Sequence, residues 1–301
     1  MFLILVIIFI LLFIICRINN KINIYKNKKK GGSDTRFSFK KYYSKSLKYN
    51  LQKKIKIYEY TIDNFIKKIK NVECCKFTNY NKNMIDFNII KKKLGHLNIY
   101  VKSGDYNNVS YGNFSKTFWK DNSYKTTIKD FINNIIEKNI DIKNIPYAGN
   151  ILISEENIKK LFGKTFTFPY FTNVRKPKFW LSKKNTITKL HRDTADNLII
   201  QIYGIKKWII YPLNLQKYLY YTKTLPQQNY SSQRSQVNIK KPDLNKYPLF
   251  KHIKNYKLEI MMYPGDLLYL PLGWGHEVET ITDSIMFNYW VQNPRSLYDS
   301  K

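Results

Sequence analysis

Cysteine is nearly missing from this chain. There are three in 301 residues: Cys16, Cys74 and Cys75. Adjacent cysteines seldom pair and no Cys-x-x-Cys occurs, which points away from a disulfide framework and from a structural zinc site. Cys74 and Cys75 fall in Val72-Glu-Cys-Cys-Lys-Phe77, which reads as a strand carrying buried, reduced thiols suited to a reducing compartment. Acidic residues are also scarce, 21 against 52 basic ones, for a formal net charge of +31. Arginine is scarcer still: Arg17, Arg36, Arg175, Arg192, Arg234 and Arg295 make up the whole set. The excess is therefore lysine, spread along a chain rich in Ile, Asn, Tyr and Phe. Those are residues of A/T-rich codons, so codon bias accounts for much of the charge. A nucleic-acid partner is compatible with it but not favoured. Histidine occurs four times, as His96, His191, His252 and His276.

Polar residues are absent from Met1 to Cys16. A helix of that length spans about 24 Å at 1.5 Å per residue, somewhat short of a ~30 Å hydrocarbon core. Local thinning or snorkelling of Arg17 would cover the difference. No basic residue precedes the run and no small-residue cleavage site follows it, so an uncleaved membrane anchor is favoured over a signal peptide. Arg17, Lys21, Lys26, Lys28, Lys29 and Lys30 all follow the run, and the positive-inside rule places the body of a single-pass protein in the cytoplasm. Residues 17–50 read as a basic tether.

From about Tyr58 the pattern becomes globular, and residues 51–301 are expected to form one domain with its core at 145–292. Thr61 to Ile69 reads as a capped helix burying Phe65 and Ile69. Asp86 to Leu94 is a second helix and Leu97 to Val101 a strand. Thr127 to Lys138 is a third helix, with Phe131, Ile135 and Ile136 as its buried stripe. Beyond Tyr147 come short strands broken by turns: Lys178 to Ser182, Asn197 to Tyr203, Lys207 to Tyr211, Leu267 to Leu270 and Ser284 to Val291, with Pro264-Gly-Asp as a turn. That cadence predicts a mainly β fold, a barrel or jelly roll with flanking helices.

His191-Arg192-Asp193 is the most chemically suggestive tripeptide. On a strand, alternation puts its imidazole and carboxylate on one face. A second imidazole from a distant strand, His276, would complete a two-His-one-carboxylate triad of the kind that holds Fe(II) and leaves positions open. A packed core histidine is the other reading of His276. His96 and His252 read as surface or ordinary packed histidines.

Three blocks then line up. The first runs from Phe179-Trp-Leu-Ser through Thr188-Lys-Leu-His-Arg-Asp to Asn197-Leu-Ile-Ile-Gln-Ile-Tyr-Gly-Ile-Lys-Lys-Trp. The second is Tyr263-Pro-Gly-Asp-Leu-Leu-Tyr-Leu-Pro-Leu-Gly-Trp-Gly-His-Glu-Val-Glu. The third is Ser284-Ile-Met-Phe-Asn-Tyr-Trp. Together they resemble the cupin-like JmjC family of Fe(II)- and 2-oxoglutarate-dependent oxygenases. The resemblance is nearest to the factor-inhibiting-HIF type of asparaginyl hydroxylase, which has counterparts of Arg234-Ser-Gln-Val-Asn and Lys246-Tyr-Pro-Leu-Phe.

The resemblance implies a double-stranded β-helix with Fe(II) at one mouth, held by His191, Asp193 and His276. It implies that Lys206 pairs with the distal carboxylate of 2-oxoglutarate, helped by the hydroxyls of Thr188 and Tyr147. Asn197 and Asn288 would line the co-substrate pocket. Lys207, the next residue, should face the opposite way, as should Glu277 after His276, where a carboxylate could support the ligand set from behind. Trp274 and Trp290 read as core. Gly275 stands where relatives often have an aromatic residue, which is expected to open space near the metal.

The implied activity is hydroxylation of a protein side chain, with a protein or peptide as substrate. A tRNA-base hydroxylase or a demethylase of the same family is the alternative enzyme. A non-catalytic, membrane-anchored cupin binding module is the alternative of another class. The oligomeric state is not encoded in these motifs.

Overall fold

In a computed structural model, residues 53–102, 123–138, 146, 148–168, 170–171, 173–221 and 232–292 are described. Met1–Cys16, the tether at 17–50 and Tyr147 lie outside the described residues. Among the described residues no helix is long and apolar enough to cross a membrane.

Two sheets form the body. The first contains β1 (Lys56–Glu59), β2 (Cys75–Thr78), β5 (Ala148–Leu152), β6 (Asn173–Val174), β7 (Lys178–Ser182), β9 (Asp196–Tyr203), β13 (Leu267–Leu270) and β15 (Ser284–Gln292). Its strand order is β1-β2-β13-β9-β15-β7-β5, with β6 paired to β15. The second contains β8 (Ile187–Asp193), β10 (Lys206–Tyr211), β11 (Ser232–Arg234), β12 (Leu258–Met262) and β14 (Gly275–Thr280), in the order β11-β8-β14-β10-β12. Only β1 and β2 pair in parallel among the strands of these two sheets. A separate two-stranded antiparallel sheet of β3 (Asn98–Lys102) and β4 (Ser123–Thr127) lies beside β5 of the first sheet.

Side-chain alternation divides the apolar residues into three layers. Ile199, Leu268 and Met286 from the first sheet meet Trp208, Ile210 and Met262 from the second in the interior. Their strand neighbours Leu198, Ile200, Leu267, Phe287 and Tyr289 face the other way. These pack against the helices α1 (Ile62–Lys70), α2 (Phe87–Leu94), α3 (Ile128–Phe131) and α4 (Glu155–Phe162). A third layer covers the outside of the second sheet, with Leu190, Ile209, Tyr211, Leu219 and Phe250 at its centre.

Local signals explain the helices. Thr61, Asp86, Thr127 and Ser154 each accept a hydrogen bond from the backbone N–H three residues on, satisfying a donor the helix itself cannot. Gly163 ends α4 in the left-handed conformation, with φ at 72°. The expected third helix departs from its forecast. After Phe131 the chain widens into a π turn over Ile132–Ile136. That i→i+5 spacing buries Phe131, Ile132 and Ile136 and leaves Ile135 only partly covered.

Candidate metal centre

His191 and Asp193 end β8, and His276 begins β14 directly opposite His191 in the ladder. The side-chain donors of the three lie within 4.8 Å of one another. Asp193 Oδ1 stands 4.0 Å from His191 Nε2, and Oδ2 3.8 Å from His276 Nε2. The two imidazoles are 4.1 Å apart between centroids. His276 also stacks on Trp208 at 5.5 Å.

The surroundings fix which atoms face the centre. His191 Nδ1 lies 2.9 Å from the Lys189 carbonyl and His276 Nδ1 3.1 Å from the Trp274 carbonyl. A carbonyl only accepts, so each Nδ1 carries the proton and each Nε2 keeps its lone pair for the centre. Burial also holds His276 below the usual histidine range, against the pull of Asp193. Neutral imidazole is the ligating form.

Asp193 is oriented from the first sheet. Asn197 Nδ2 and Trp290 Nε1 donate to its Oδ2 at 3.0 and 3.2 Å. Asn288 Nδ2 donates to Asn197 Oδ1 at 2.9 Å, and Trp180 Nε1 donates to Asn288 Oδ1 at 2.6 Å. Burial alone lifts the Asp193 carboxyl; His276 and these two donors pull it back only in part. A cation bound among the three donors would remove that penalty. Two imidazole nitrogens and one carboxylate suit a divalent ion of the Fe(II) type.

Lys206, at the start of β10, points into the same cavity. Its side chain is buried, and its Nζ donates to Ser182 Oγ at 2.9 Å and Thr280 Oγ1 at 3.2 Å. Among the described residues no carboxylate lies within ion-pair distance of it. Burial lowers its pKa to about 7. A buried ammonium braced by two hydroxyls is a receptor for an anion, and the distal carboxylate of a keto acid fits it. Lys207 lies on the opposite face and pairs with Glu259 at 3.2 Å.

The cavity holds about 670 Å³. The triad, Thr188, Asn197, Lys206 and Asn288 all line it, together with Trp180, Trp290 and Arg234. Tyr100 of β3 and Asn150 and Leu152 of β5 line its exposed rim. His96 and His252 are exposed and stand apart from this group.

Two expectations need correction. Trp290 is not simply core: its indole lines the cavity and bonds the Asp193 carboxylate. Gly275 does not open space near the metal. It alternates with His276, so it faces outward, and a Cβ there would overlap the Tyr221 hydroxyl and press on Leu219. Tyr221, carried from a segment 54 positions earlier, fills the place an aromatic at 275 would take. Sequence reading missed Trp180 altogether; its only local signal was the Phe179-Trp-Leu-Ser block.

The chain is 35% identical over 124 residues to JmjC domain-containing protein F of Dictyostelium discoideum, covering 38% of this chain and 26% of that protein. It is 28% identical over 130 residues to lysine-specific demethylase JMJ31 of Arabidopsis thaliana, covering 43% and 23%. It is 31% identical over 144 residues to tRNA wybutosine-synthesizing protein 5 of Mus musculus, covering 46% and 42%. The matched stretch spans about a quarter of the length of the first two relatives and under half of the third. Members of the JmjC type are generally 2-oxoglutarate-dependent oxygenases that use Fe(II). Residues 51–296 match the cupin-like domain, and the chain belongs to that family.

Proposed function

We propose that this chain is an Fe(II)- and 2-oxoglutarate-dependent oxygenase that hydroxylates a protein side chain, in the manner of the factor-inhibiting-HIF type. The observation that carries the reading is Lys206. A buried ammonium with hydroxyl partners shares one cavity with a buried His-Asp-His donor set. A merely structural barrel has little reason to bury that cation, given the desolvation it costs.

His191 Nε2, His276 Nε2 and an Asp193 carboxylate oxygen would hold the iron. Bound there with 2-oxoglutarate, it would supply the oxidising chemistry for a C–H bond. Lys206 binds the far carboxylate, with Ser182 and Thr280 bracing the ammonium and Thr188 lining the same pocket. Asn197, Asn288, Trp180 and Trp290 hold Asp193 in one orientation. Substrate would enter past the exposed Tyr100, Asn150 and Leu152. A relative named as a lysine-specific demethylase speaks for protein as the substrate class. The net charge of +31 and the mouse relative named for tRNA modification favour RNA as the second reading. The apolar run at Met1–Cys16 belongs to the same proposal, as a membrane anchor with this domain on the cytoplasmic side.

The test is 2-oxoglutarate turnover by the purified chain with Fe(II) and ascorbate, read as succinate. Co-purifying proteins and RNA are then screened for +16 Da products against the H191A variant. Succinate from wild type and none from H191A supports the oxygenase. No turnover with peptide, RNA or small-molecule panels would leave a binding module as the better account.

A further inference from the structure

The ladder between β8 and β14 contains one fault. His276 faces His191 and Val278 faces Thr188, so Lys189 and Leu190 together oppose the single residue Glu277. This bulge leaves the Leu190 N–H without a regular ladder partner. The Glu277 side chain takes that place, its Oε2 accepting from Leu190 N at 3.2 Å. Glu277 is only 1% exposed. Lys240, Glu279 and Lys189 are the charged groups around it.

The carbonyl of that same peptide unit is the Lys189 oxygen, which accepts the proton of His191 Nδ1 at 2.9 Å. A trans peptide points its N–H and C=O in opposite directions. One end therefore reaches Glu277 outside the sheet and the other reaches the imidazole. We propose that Glu277 is a positioning residue for the metal centre, acting on His191 through the Lys189–Leu190 peptide. A carboxylate on the N–H polarises the amide and makes its oxygen a better acceptor. The stronger acceptor holds the Nδ1–H, locks the ring's tautomer and orientation, and makes Nε2 a better donor. The arrangement is a carboxylate–histidine–metal relay with one amide inserted, and it rests on reading His191 as a ligand.

The test compares wild type with E277Q and E279Q at pH 8. Gln at 277 keeps the shape and an acceptor for Leu190 but removes the charge. Glu279, two residues along and paired with Lys240 at 2.6 Å, controls for charge without contact. The first readout is the His191 Nδ1–H resonance in metal-free, 15N-histidine-labelled protein. It should move upfield and exchange faster with solvent in E277Q, and stay put in E279Q. The second is Co(II) affinity by titration, which should fall about tenfold in E277Q and stay within twofold in E279Q. An unmoved resonance in E277Q, or an equal shift in E279Q, overturns the relay. Failure of wild type to bind Co(II) would sink the metal reading instead, with the resonance still deciding the relay. Should E277Q not fold, E277D, one methylene short of the Leu190 N–H, is expected to show the same loss.

Discussion

The two faces of the five-stranded sheet treat charge in opposite ways. On the outer face, Lys207 pairs with Glu259 at 3.2 Å and Lys240 with Glu279 at 2.6 Å, in partly exposed ion pairs. Such pairs contribute ~0–1 kcal/mol each. On the inner face, one residue away along the same strand, Lys206 is buried against hydroxyls, and Asp193 is buried among imidazoles, an amide and an indole. Among the described residues no carboxylate pairs with Lys206. The Lys207–Glu259 and Lys240–Glu279 pairs are complete without a ligand, and the inner charges are not. An unfinished charge inside a cavity is costly, and it marks where an anion and a cation belong.

That contrast can be broken in several ways. The largest effect should come from His191→Ala or Asp193→Ala, which remove a donor outright. Both are expected to abolish Co(II) binding at micromolar protein and to reduce succinate formation to background, while circular dichroism stays that of wild type.

The second is a pH effect confined to the inner lysine. Below about 7 Lys206 is already charged and binds a carboxylate directly. Above it the free protein holds a neutral amine, which must take up a proton on binding because the bound anion favours the ammonium. Affinity for 2-oxoglutarate should therefore fall by up to tenfold per pH unit between pH 7 and 9, with proton uptake seen as a buffer-dependent heat in calorimetry. Affinity independent of pH over that range would mean that Lys206 stays charged without its ligand.

Third, Asn288→Ala or Trp290→Phe removes a donor from the set orienting Asp193. Metal affinity, measured by competition with a chelating dye, should weaken on the order of tenfold. The effect should exceed that of Lys207→Ala, which is expected within twofold of wild type. A smaller effect belongs to the outer face. Gly275→Phe should cost roughly 1–3 kcal/mol by overpacking against Tyr221 and Leu219, seen as a lower denaturation midpoint. Pairing it with Tyr221→Ala should recover part of that loss, since the new ring would occupy the vacated space.

How much of this was legible beforehand depends on how local the signal was. The cap at Thr61 sits next to the helix it starts and was readable, as was the start of the second helix at Asp86. So was the opposition of Lys206 and Lys207, because alternation on a strand is a rule of period two. His276 needed motif order as well as spacing, since nothing local says which strand lies beside β8. The π turn at Ile132–Ile136 changes which isoleucines are buried, and its sequence carries no mark that separates it from an α-helix. The Trp180–Asn288–Asn197–Asp193 chain links residues as far as 108 positions apart, through side-chain bonds that only the folded register creates. Tyr221 filling the place beside Gly275 is another such case: the small residue was visible, and its partner was not.

The most direct test of the central claim is 2-oxoglutarate binding to the Mn(II)-loaded, anaerobic chain, measured by calorimetry for wild type, Lys206→Ala and Lys207→Ala. Lys206→Ala should weaken binding about 100-fold, the ~2.7 kcal/mol of a lost charge-assisted contact, and Lys207→Ala should match wild type within twofold. Wild-type affinity in Lys206→Ala, or a loss confined to Lys207→Ala, would contradict the account.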